Sequence, residues 1–228
     1  MDTTKVFQIL LDGVLVSLRI FGLTLLFAIP LGMLVAVGRL SKFKPLSWLL
    51  GIYILIMRGT PLMLQIIAVF FAIPMLQNNP PEFLKGFFDT FQIAPIDRFT
   101  AVIIAFSLNY AAYFAEIFRG GILSIPKGQY EAAATLGFTK IQTFFKVILP
   151  QVIKRILPAS SNEVISLVKD TSLAQVIGVV ELFVLAKQQM NNHVSLAPLF
   201  YAGIFYLITC MIITGLFWCA EKKLSYYK

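Results

Sequence analysis

A long apolar stretch of the chain includes the ionisable residues Glu163, Lys169 and Asp170. A charged group at the centre of a membrane helix costs about 2.5 to 3.5 kcal/mol, so such groups are candidates for ligand binding. Glu163 and Asp170 are seven positions apart and share one helix face. A carboxylate on this face can accept an ammonium or guanidinium group. Alternatively, Lys169 and Asp170 pair with each other or with a neighbouring subunit, and both interpretations stay open.

Two other apolar stretches carry polar residues at positions that favour ligand contact. Ser107 and Tyr110 are three residues apart, which places them on one helix face. Thr60 lies between Gly59 and Pro61, where a helix is expected to break. Irregular backbone occurs at membrane depth where it lines a protected cavity, so these stretches predict a polar pocket near the bilayer midplane.

The elements that must position these residues are membrane helices. The chain has 228 residues, of which 58% are hydrophobic and 13% charged, and its mean hydropathy is +0.83. Soluble domains carry about 25% charged residues, so a soluble fold is excluded. The apolar runs also lack the two-residue alternation of barrel strands. The sequence therefore predicts an all-α integral membrane protein in which residues 1–228 form a single transmembrane domain.

Five apolar runs are long enough to cross a hydrocarbon core of about 30 Å. They predict spans over residues 14–38, 46–76, 99–123, 157–185 and 196–220. Eleven basic residues fall in the loops on one side and four on the other, which makes the first side cytoplasmic. The N-terminus is then outside and the C-terminus inside. The outer loop over residues 77–98 includes a predicted short helix around 82–91.

The cytoplasmic segment 124–158 is neither apolar enough to span a bilayer nor polar enough to be a linker. Three alanines after Glu131 give a flat helix face that another protein can approach. Gly137 suits a left-handed helix stop. We predict two short helices joined at Gly137, followed by a break at Pro150 and Pro158 before the fourth span. From pattern alone, an amphipathic helix pair lying on the membrane surface is an equal alternative.

The run Glu131 to Gly137, followed after nine residues by Val147-Ile148-Leu149-Pro150, resembles the EAA loop of ATP-binding cassette (ABC) importer permeases. Val147 stands where that family has isoleucine. The block Arg58 to Gln65 resembles the Arg-Gly-Thr-Pro hallmark of the polar amino-acid branch. A third block, Asn162-Glu163 followed by residues 167–173, is similar to the fourth span of the same branch.

The resemblance covers essentially the whole chain and implies the type I ABC importer transmembrane fold in a prokaryotic cell membrane. It implies two separate ABC ATPase subunits, a second permease subunit that is identical or paralogous, and an extracytoplasmic amino-acid-binding protein. ATP and magnesium then belong to the ATPase subunits, and this chain holds no cofactor, no metal and no catalytic residue. The residues implied to couple to the ATPases are Glu131, Ala132, Ala133, Gly137, Leu149 and Pro150.

With an amino acid as ligand, we expect Glu163 to accept its ammonium group or a cationic side chain. Thr60, Ser107 and freed backbone amides would hold the carboxylate. The full set of candidate substrate-binding residues is Thr60, Met63, Leu64, Ser107, Tyr110, Asn162, Glu163 and Asp170. The carboxylate at 163 favours arginine, lysine or histidine, whereas glutamine, cystine or another polar amino acid is the alternative.

Two rival classes differ in what they require of the sequence. A secondary transporter would need an ion-coupling site and usually an internal repeat over ten or more spans, and no repeat is visible. A channel subunit would not require a 35-residue alanine-rich cytoplasmic segment. No phosphate-binding glycine loop is found, so we predict that this subunit does not hydrolyse ATP itself.

Overall fold

The structure is a computed structural model that describes residues 3–82, 85 and 94–224. Those residues form helices joined by short connections, with no strand among them. We number the described helices α1 Thr3–Arg39, α2 Lys44–Gly59, α3 Leu62–Asn78, α4 Arg98–Leu123, α5 Lys127–Thr135, α6 Lys140–Thr143, α7 Leu149–Asp170, α8 Leu182–His193 and α9 Ala197–Lys223. The short helix expected around 82–91 falls largely outside the described residues.

Helix α4 is the centre of the fold and corresponds to the predicted span 99–123. It begins at Asp97, whose side chain accepts a hydrogen bond from the Thr100 amide at 3.1 Å. Its middle is buried on almost every side. A side chain at Gly32 of α1 would come within 2.9 Å of the Ala111 carbonyl oxygen, so α1 and α4 pack backbone to backbone. Small residues permit such close approach of membrane helices.

Three described helices are long and apolar enough to cross a bilayer: α1, α4 and α9. They contain the predicted spans 14–38, 99–123 and 196–220, apart from the first residue of the last span. Much of α9 is exposed and apolar, which suits a lipid-facing position. The 37 residues of α1 extend over about 55 Å, beyond the thickness of the hydrocarbon core.

The predicted second span, 46–76, is not one straight helix. The helix axis bends by 112° between α2 and α3. Thr60 between them is extended, because the ring of Pro61 disfavours helical backbone at the preceding residue. Counting the bent pair as one span raises the number of candidate spans in the described residues to four. The five spans and the sidedness of the termini stay predictions.

The predicted fourth span, 157–185, is also broken. Helix α7 is followed by a 3₁₀ helix, Thr171–Ile177, which ends at Gly178 in a left-handed conformation (φ +79°), and α8 begins at Leu182. Gly178 lies against the Arg98 guanidinium, whose Nη1 would be 3.1 Å from an added side chain. Glu163 and Asp170 both lie in α7, before the break.

The expected chain break at Pro150 and Pro158 is wrong. A π-helical turn, Phe144–Ile148, joins α6 directly to α7, and the Leu149 amide donates to the Phe144 carbonyl. Pro150 directly follows the π-helical turn, whose altered hydrogen-bond pattern accommodates its missing amide, and Pro158 is tolerated inside α7. Residues 140–170 therefore form one continuous helical rod.

Candidate functional site

The acidic face of α7 packs against α4. The Tyr110 hydroxyl donates a hydrogen bond of 2.7 Å to Oδ2 of Asp170. Tyr110 is buried, whereas Glu163 and Asp170 are half-buried. No ion pair joins Lys169 to Asp170 in the part of the chain that the structure describes, and Lys169 is exposed. Asp170 is therefore held by a tyrosine of α4, and the described residues show no pairing of Lys169 with Asp170. Pairing of either residue with a neighbouring subunit stays a prediction.

Arg58 brings the end of α2 to the same place. Its guanidinium carbon lies 5.2 Å from the centre of the Tyr113 ring, a cation–π contact. The rings of Tyr113 and Tyr110 are 6.2 Å apart. Arg58 also interacts electrostatically with Glu163. Helices α2, α4 and α7 thus meet at one polar region. The ligand pocket expected from the three polar stretches stays a prediction.

The bend between α2 and α3 is held by side chains that the sequence analysis did not select. Nδ2 of Asn109 donates to the Met57 carbonyl at 2.9 Å and to Oε1 of Gln65 at 3.0 Å. Nε2 of Gln65 donates to Oγ1 of Thr60 at 2.8 Å, and Thr60 Oγ1 donates to the Ile56 carbonyl at 2.8 Å. Most of the hydrogen-bonding capacity of Thr60 is therefore used within the bend.

The remaining predicted ligand residues are arranged differently. Ser107 is buried, and its Oγ has no hydrogen-bond partner among the described residues. Met63, Leu64 and Asn162 are exposed. The structure brings Tyr110 and Asp170 into contact and places Glu163 within their electrostatic reach. Asn109, a polar residue inside an apolar span, is the signal that would have revealed the bend network.

Segment 124–158 has the predicted helix stop. Gly137 has φ +77°, and its amide donates to the Ala134 carbonyl at 3.0 Å while the Phe138 amide donates to the Ala133 carbonyl at 3.0 Å. This pair of bonds is the Schellman motif. The prediction of a left-handed stop at Gly137 is confirmed. Glu131 and Ala132 are exposed, whereas Ala133 is buried.

A second cap fixes the turn that follows. Oγ1 of Thr139 accepts from the Gln142 amide, and Oε1 of Gln142 accepts from the Thr139 amide, forming a capping box. Around this turn large apolar side chains remain in the open: Leu136 is 74% exposed, Ile141 72% and Phe145 61%. Leu149 and Pro150 are half-buried at the start of α7. The turn is thus rigid and presents an apolar surface.

A fully buried carboxylate at Glu181 was missed. Its Oε2 accepts hydrogen bonds from the Phe183 amide at 2.9 Å, the Tyr206 hydroxyl at 3.1 Å and the Ser17 hydroxyl at 3.4 Å. Its Oε1 accepts from the Val184 amide at 3.0 Å. Glu181 caps α8 and joins it to α1 and α9. An acidic residue within the predicted span 157–185 is the signal that would have found it.

Glu116 and Arg119, three residues apart in α4, form an ion pair. Nη2 of Arg119 lies 2.6 Å from Oε2 of Glu116, and its Nε donates to Oε1 at 2.9 Å. The pair spans one turn of α4 near the end of that helix. This bidentate geometry supports the structural role expected from the spacing of three residues.

The chain is similar in sequence to permease proteins of several transport systems. The chain is 37% identical over 221 residues to the L-cystine transport system permease protein TcyB of Bacillus subtilis (strain 168), covering 96% of this chain and 88% of the relative. It is 36% identical over 217 residues to the arginine transport system permease protein ArtQ of the same organism, covering 95% and 92%. The putative glutamine transport system permease protein GlnP of Rickettsia felis is 32% identical, with coverage of 94% and 92%.

Solved structures agree in fold. A crystal structure of an amino acid ABC transporter with histidines matches with a TM-score of 0.80 and 29% identity, covering 97% of this chain and 96% of that chain. The MetNI methionine ABC transporter in an inward-facing conformation matches with a TM-score of 0.68 at 17% identity, which shows the fold alone. It covers 98% of this chain and 99% of that chain.

The family comparison accounts for nearly the whole molecule. Residues 28–225 match the family described as binding-protein-dependent transport system inner membrane component. That description confirms the predicted membrane location and the prediction that the chain is a transport subunit and not an enzyme. With the match over this range and with relatives above 30% identity along the chain, the protein belongs to the family of binding-protein-dependent transport system inner membrane components.

Proposed function

We propose that this chain is the permease subunit of an ATP-driven importer of amino acids, with basic amino acids as its substrates. The observation that carries the proposal is the acidic face of α7. Asp170 accepts a hydrogen bond from Tyr110 of α4 and shares a helix face with Glu163, near the break after α2 that Arg58 and Tyr113 connect to this face. Carboxylates at such a place supply the counter-charge that a cationic side chain needs.

The α-carboxylate of the substrate has a separate candidate partner. The amides of Leu62 and Met63 belong to the first turn of α3, where helix geometry leaves amides without an intrahelical acceptor. Such amides together with the helix dipole favour an anion. Because the Thr60 hydroxyl donates to the Ile56 carbonyl, we assign the carboxylate to these amides more than to Thr60. Met63, Leu64 and Tyr110 would form the walls of the pocket.

Glutamine or cystine as substrate is a second candidate that the relatives favour equally. Relatives of nearly equal identity are named for L-cystine and for arginine. A zwitterionic ligand would place its ammonium group on Glu163 and leave Asp170 bonded to Tyr110. The two candidates therefore differ in whether one or both carboxylates of α7 contact the ligand.

The turn around Gly137 is the proposed contact with the ATPase subunits. Its exposed apolar side chains, Leu136, Ile141 and Phe145, form a surface that its own chain leaves uncovered, and two helix caps hold it rigid. Exposed apolar patches mark protein contacts or membrane contacts. In the proposed complex two ATPase subunits bind ATP and magnesium, a second permease subunit completes the membrane part, and a binding protein delivers the amino acid outside. A five-span arrangement with the N-terminus outside places this turn in the cytosol.

The test is uptake by the complete complex in proteoliposomes. Labelled arginine, lysine, glutamine and cystine would be offered with ATP enclosed, with vanadate added in a parallel set. We expect vanadate-sensitive uptake in which arginine and lysine exceed glutamine and cystine. Uptake that resists vanadate and requires a proton gradient would indicate a secondary transporter, and passive flux without ATP would indicate a channel. A preference for glutamine or cystine would leave the importer and remove the basic specificity.

Two glycines provide a matched test of whether this turn couples ATP hydrolysis to uptake. Neither Gly137 nor Gly128 would bring an added side chain within 4 Å of another atom, but only Gly137 has positive φ. Replacing Gly137 with alanine forces a strained backbone that costs about 1 to 2 kcal/mol locally, so we expect the cap to reorganise. We predict that Gly137→Ala lowers uptake per ATP hydrolysed several-fold, whereas Gly128→Ala does not. Equal coupling ratios in the two variants would contradict the docking role of this turn.

A further inference from the structure

Arg58 forms no ion pair with a carboxylate in the described part of the chain. It interacts electrostatically with Glu163 of α7 and with Glu116 of α4. Within the described ranges, the ion pair found is that of Arg119 with Glu116, and what holds Arg58 is the face of the Tyr113 ring. A cation–π contact at a half-open site is weak compared with a buried bidentate salt bridge. Arg58 is thus a loosely held cation that shares its cleft with Glu116 and acts electrostatically on Glu163.

The space beside Arg58 permits movement. An open cleft of about 420 Å³ separates α2 from α4 and is lined by Arg58, Tyr113 and Glu116. Gly59 lines the same cleft and has no atom within 4 Å of an added side chain. The other cation of this cleft, Arg39, is fixed, because its Nη1 donates to Oγ of Ser47 at 2.9 Å and to the Ser47 carbonyl at 3.1 Å.

The charges around Glu163 determine which ligands the movement of Arg58 would favour. Asp170 already accepts a hydrogen bond from Tyr110, so Glu163 is the carboxylate that lacks a hydrogen-bond partner within the described chain. A cationic ligand on Glu163 competes with Arg58 for the same negative charge and is repelled by it. A zwitterion brings no net charge and meets less repulsion. Arg58 therefore opposes cationic ligands more than zwitterionic ones.

We propose that Arg58 is the resident cation of the substrate pocket, which neutralises Glu163 when the pocket is empty and moves toward Glu116 when a cationic amino acid binds. The inference rests on the proposed function. It makes Arg58 a selectivity residue, because only a cationic substrate has to displace Arg58 and therefore loses binding free energy. Glu116 then has a second role besides its pair with Arg119: it accepts the displaced guanidinium at the far side of the cleft.

The experiment measures the preference of the complete complex for arginine over glutamine. The preference is the ratio of the apparent affinities with which the two amino acids stimulate ATP hydrolysis in nanodiscs. We expect Arg58→Gln to shift the ratio toward arginine by about tenfold, because the competing cation is gone. Arg58→Lys keeps the charge and should stay within about threefold of the unaltered protein, and Glu116→Gln should shift the ratio toward glutamine by about threefold. Arg19→Gln is the matched control, an exposed arginine of α1, and should leave the ratio unchanged.

Equal losses for both amino acids in Arg58→Gln, or an unchanged ratio, would overturn the inference and leave the importer intact. An unaltered complex that responds to no amino acid would overturn the proposed function and this inference together. A structure of the unaltered complex with bound arginine gives an independent measurement if a variant fails to assemble. Arg58 is expected beside Glu116 in that structure, and its retention over the Tyr113 ring, or a contact between it and the ligand carboxylate, would exclude the displacement.

Discussion

Two carboxylates of the same chain, Glu181 and Glu163, have opposite surroundings. Glu181 is fully buried, and its two oxygens accept four hydrogen bonds from α1, α8 and α9. Glu163 is half-buried, has no hydrogen-bond partner in the described part of the chain, and lies near Arg58. A buried polar group that is satisfied stabilises the fold, whereas one left unsatisfied near a cleft is available to a ligand. The degree of satisfaction, more than burial, separates a structural acid from a binding acid.

The largest expected effect is on stability and comes from Glu181→Ala. The change removes the acceptor of the Phe183 and Val184 amides and of two hydroxyl groups, and it leaves a cavity. We predict a loss of at least about 3 kcal/mol in the free energy of unfolding, measured by chemical denaturation in detergent. Glu131→Ala, an exposed acid of α5, is the control and should change it by less than about 0.5 kcal/mol. A small loss of unfolding free energy in Glu181→Ala would contradict the structural role of Glu181.

The second effect is on transport and comes from Glu163→Gln. Amide and carboxylate have similar shapes, so we expect unfolding to change by less than about 0.5 kcal/mol. Arginine uptake should fall at least about tenfold, because a charge-assisted hydrogen bond is lost. Glu221→Gln, at the end of α9, should leave both quantities unchanged. Unaltered arginine uptake and unaltered ATPase stimulation in Glu163→Gln would remove Glu163 from the pocket.

The smallest effects sharpen the comparison through two tyrosines, each of which donates to one acid. Tyr206→Phe removes one of four bonds to Glu181, so we expect a loss of about 1 kcal/mol in unfolding free energy with transport retained. Tyr110→Phe frees Asp170 and should weaken arginine-stimulated ATP hydrolysis about three- to tenfold. Thermal unfolding and ATPase assays on both variants measure the two effects. If Tyr206→Phe weakened ATPase stimulation and Tyr110→Phe lowered only stability, Glu181 would be the binding acid and Asp170 the structural one.

The sequence was sufficient where one local signal determined the outcome. Long apolar runs located α1, α4 and α9, and the glycine after the alanine run marked a left-handed helix stop at Gly137. The Gly59-Thr60-Pro61 break was visible too. Its angle of 112° was not, because that angle depends on Asn109 and Gln65, which bond across the bend from separate parts of the chain.

Long-range contacts account for the rest of what was missed. Ser17 lies 164 residues from Glu181, so no pattern around residue 181 reveals its partner. The continuity of α6 and α7 was missed because proline is read as a helix breaker, whereas the π-helical turn before Pro150 accommodates it. The convergence of Glu163, Asp170 and Tyr110 was expected because helical spacing and membrane burial alone select polar residues that face inward.

The continuous rod over residues 140–170 has a mechanical consequence. The turn around Gly137 and the carboxylates of Glu163 and Asp170 are attached to the same stiff element, roughly 45 Å long at the usual rise per residue. A torque applied at the Gly137 end therefore reaches the acidic face through helical backbone alone, with no intervening loop. The compliant points of the rod are the π-helical turn and Pro158, which interrupt the regular pattern of backbone hydrogen bonds, and both lie between the torque and the carboxylates.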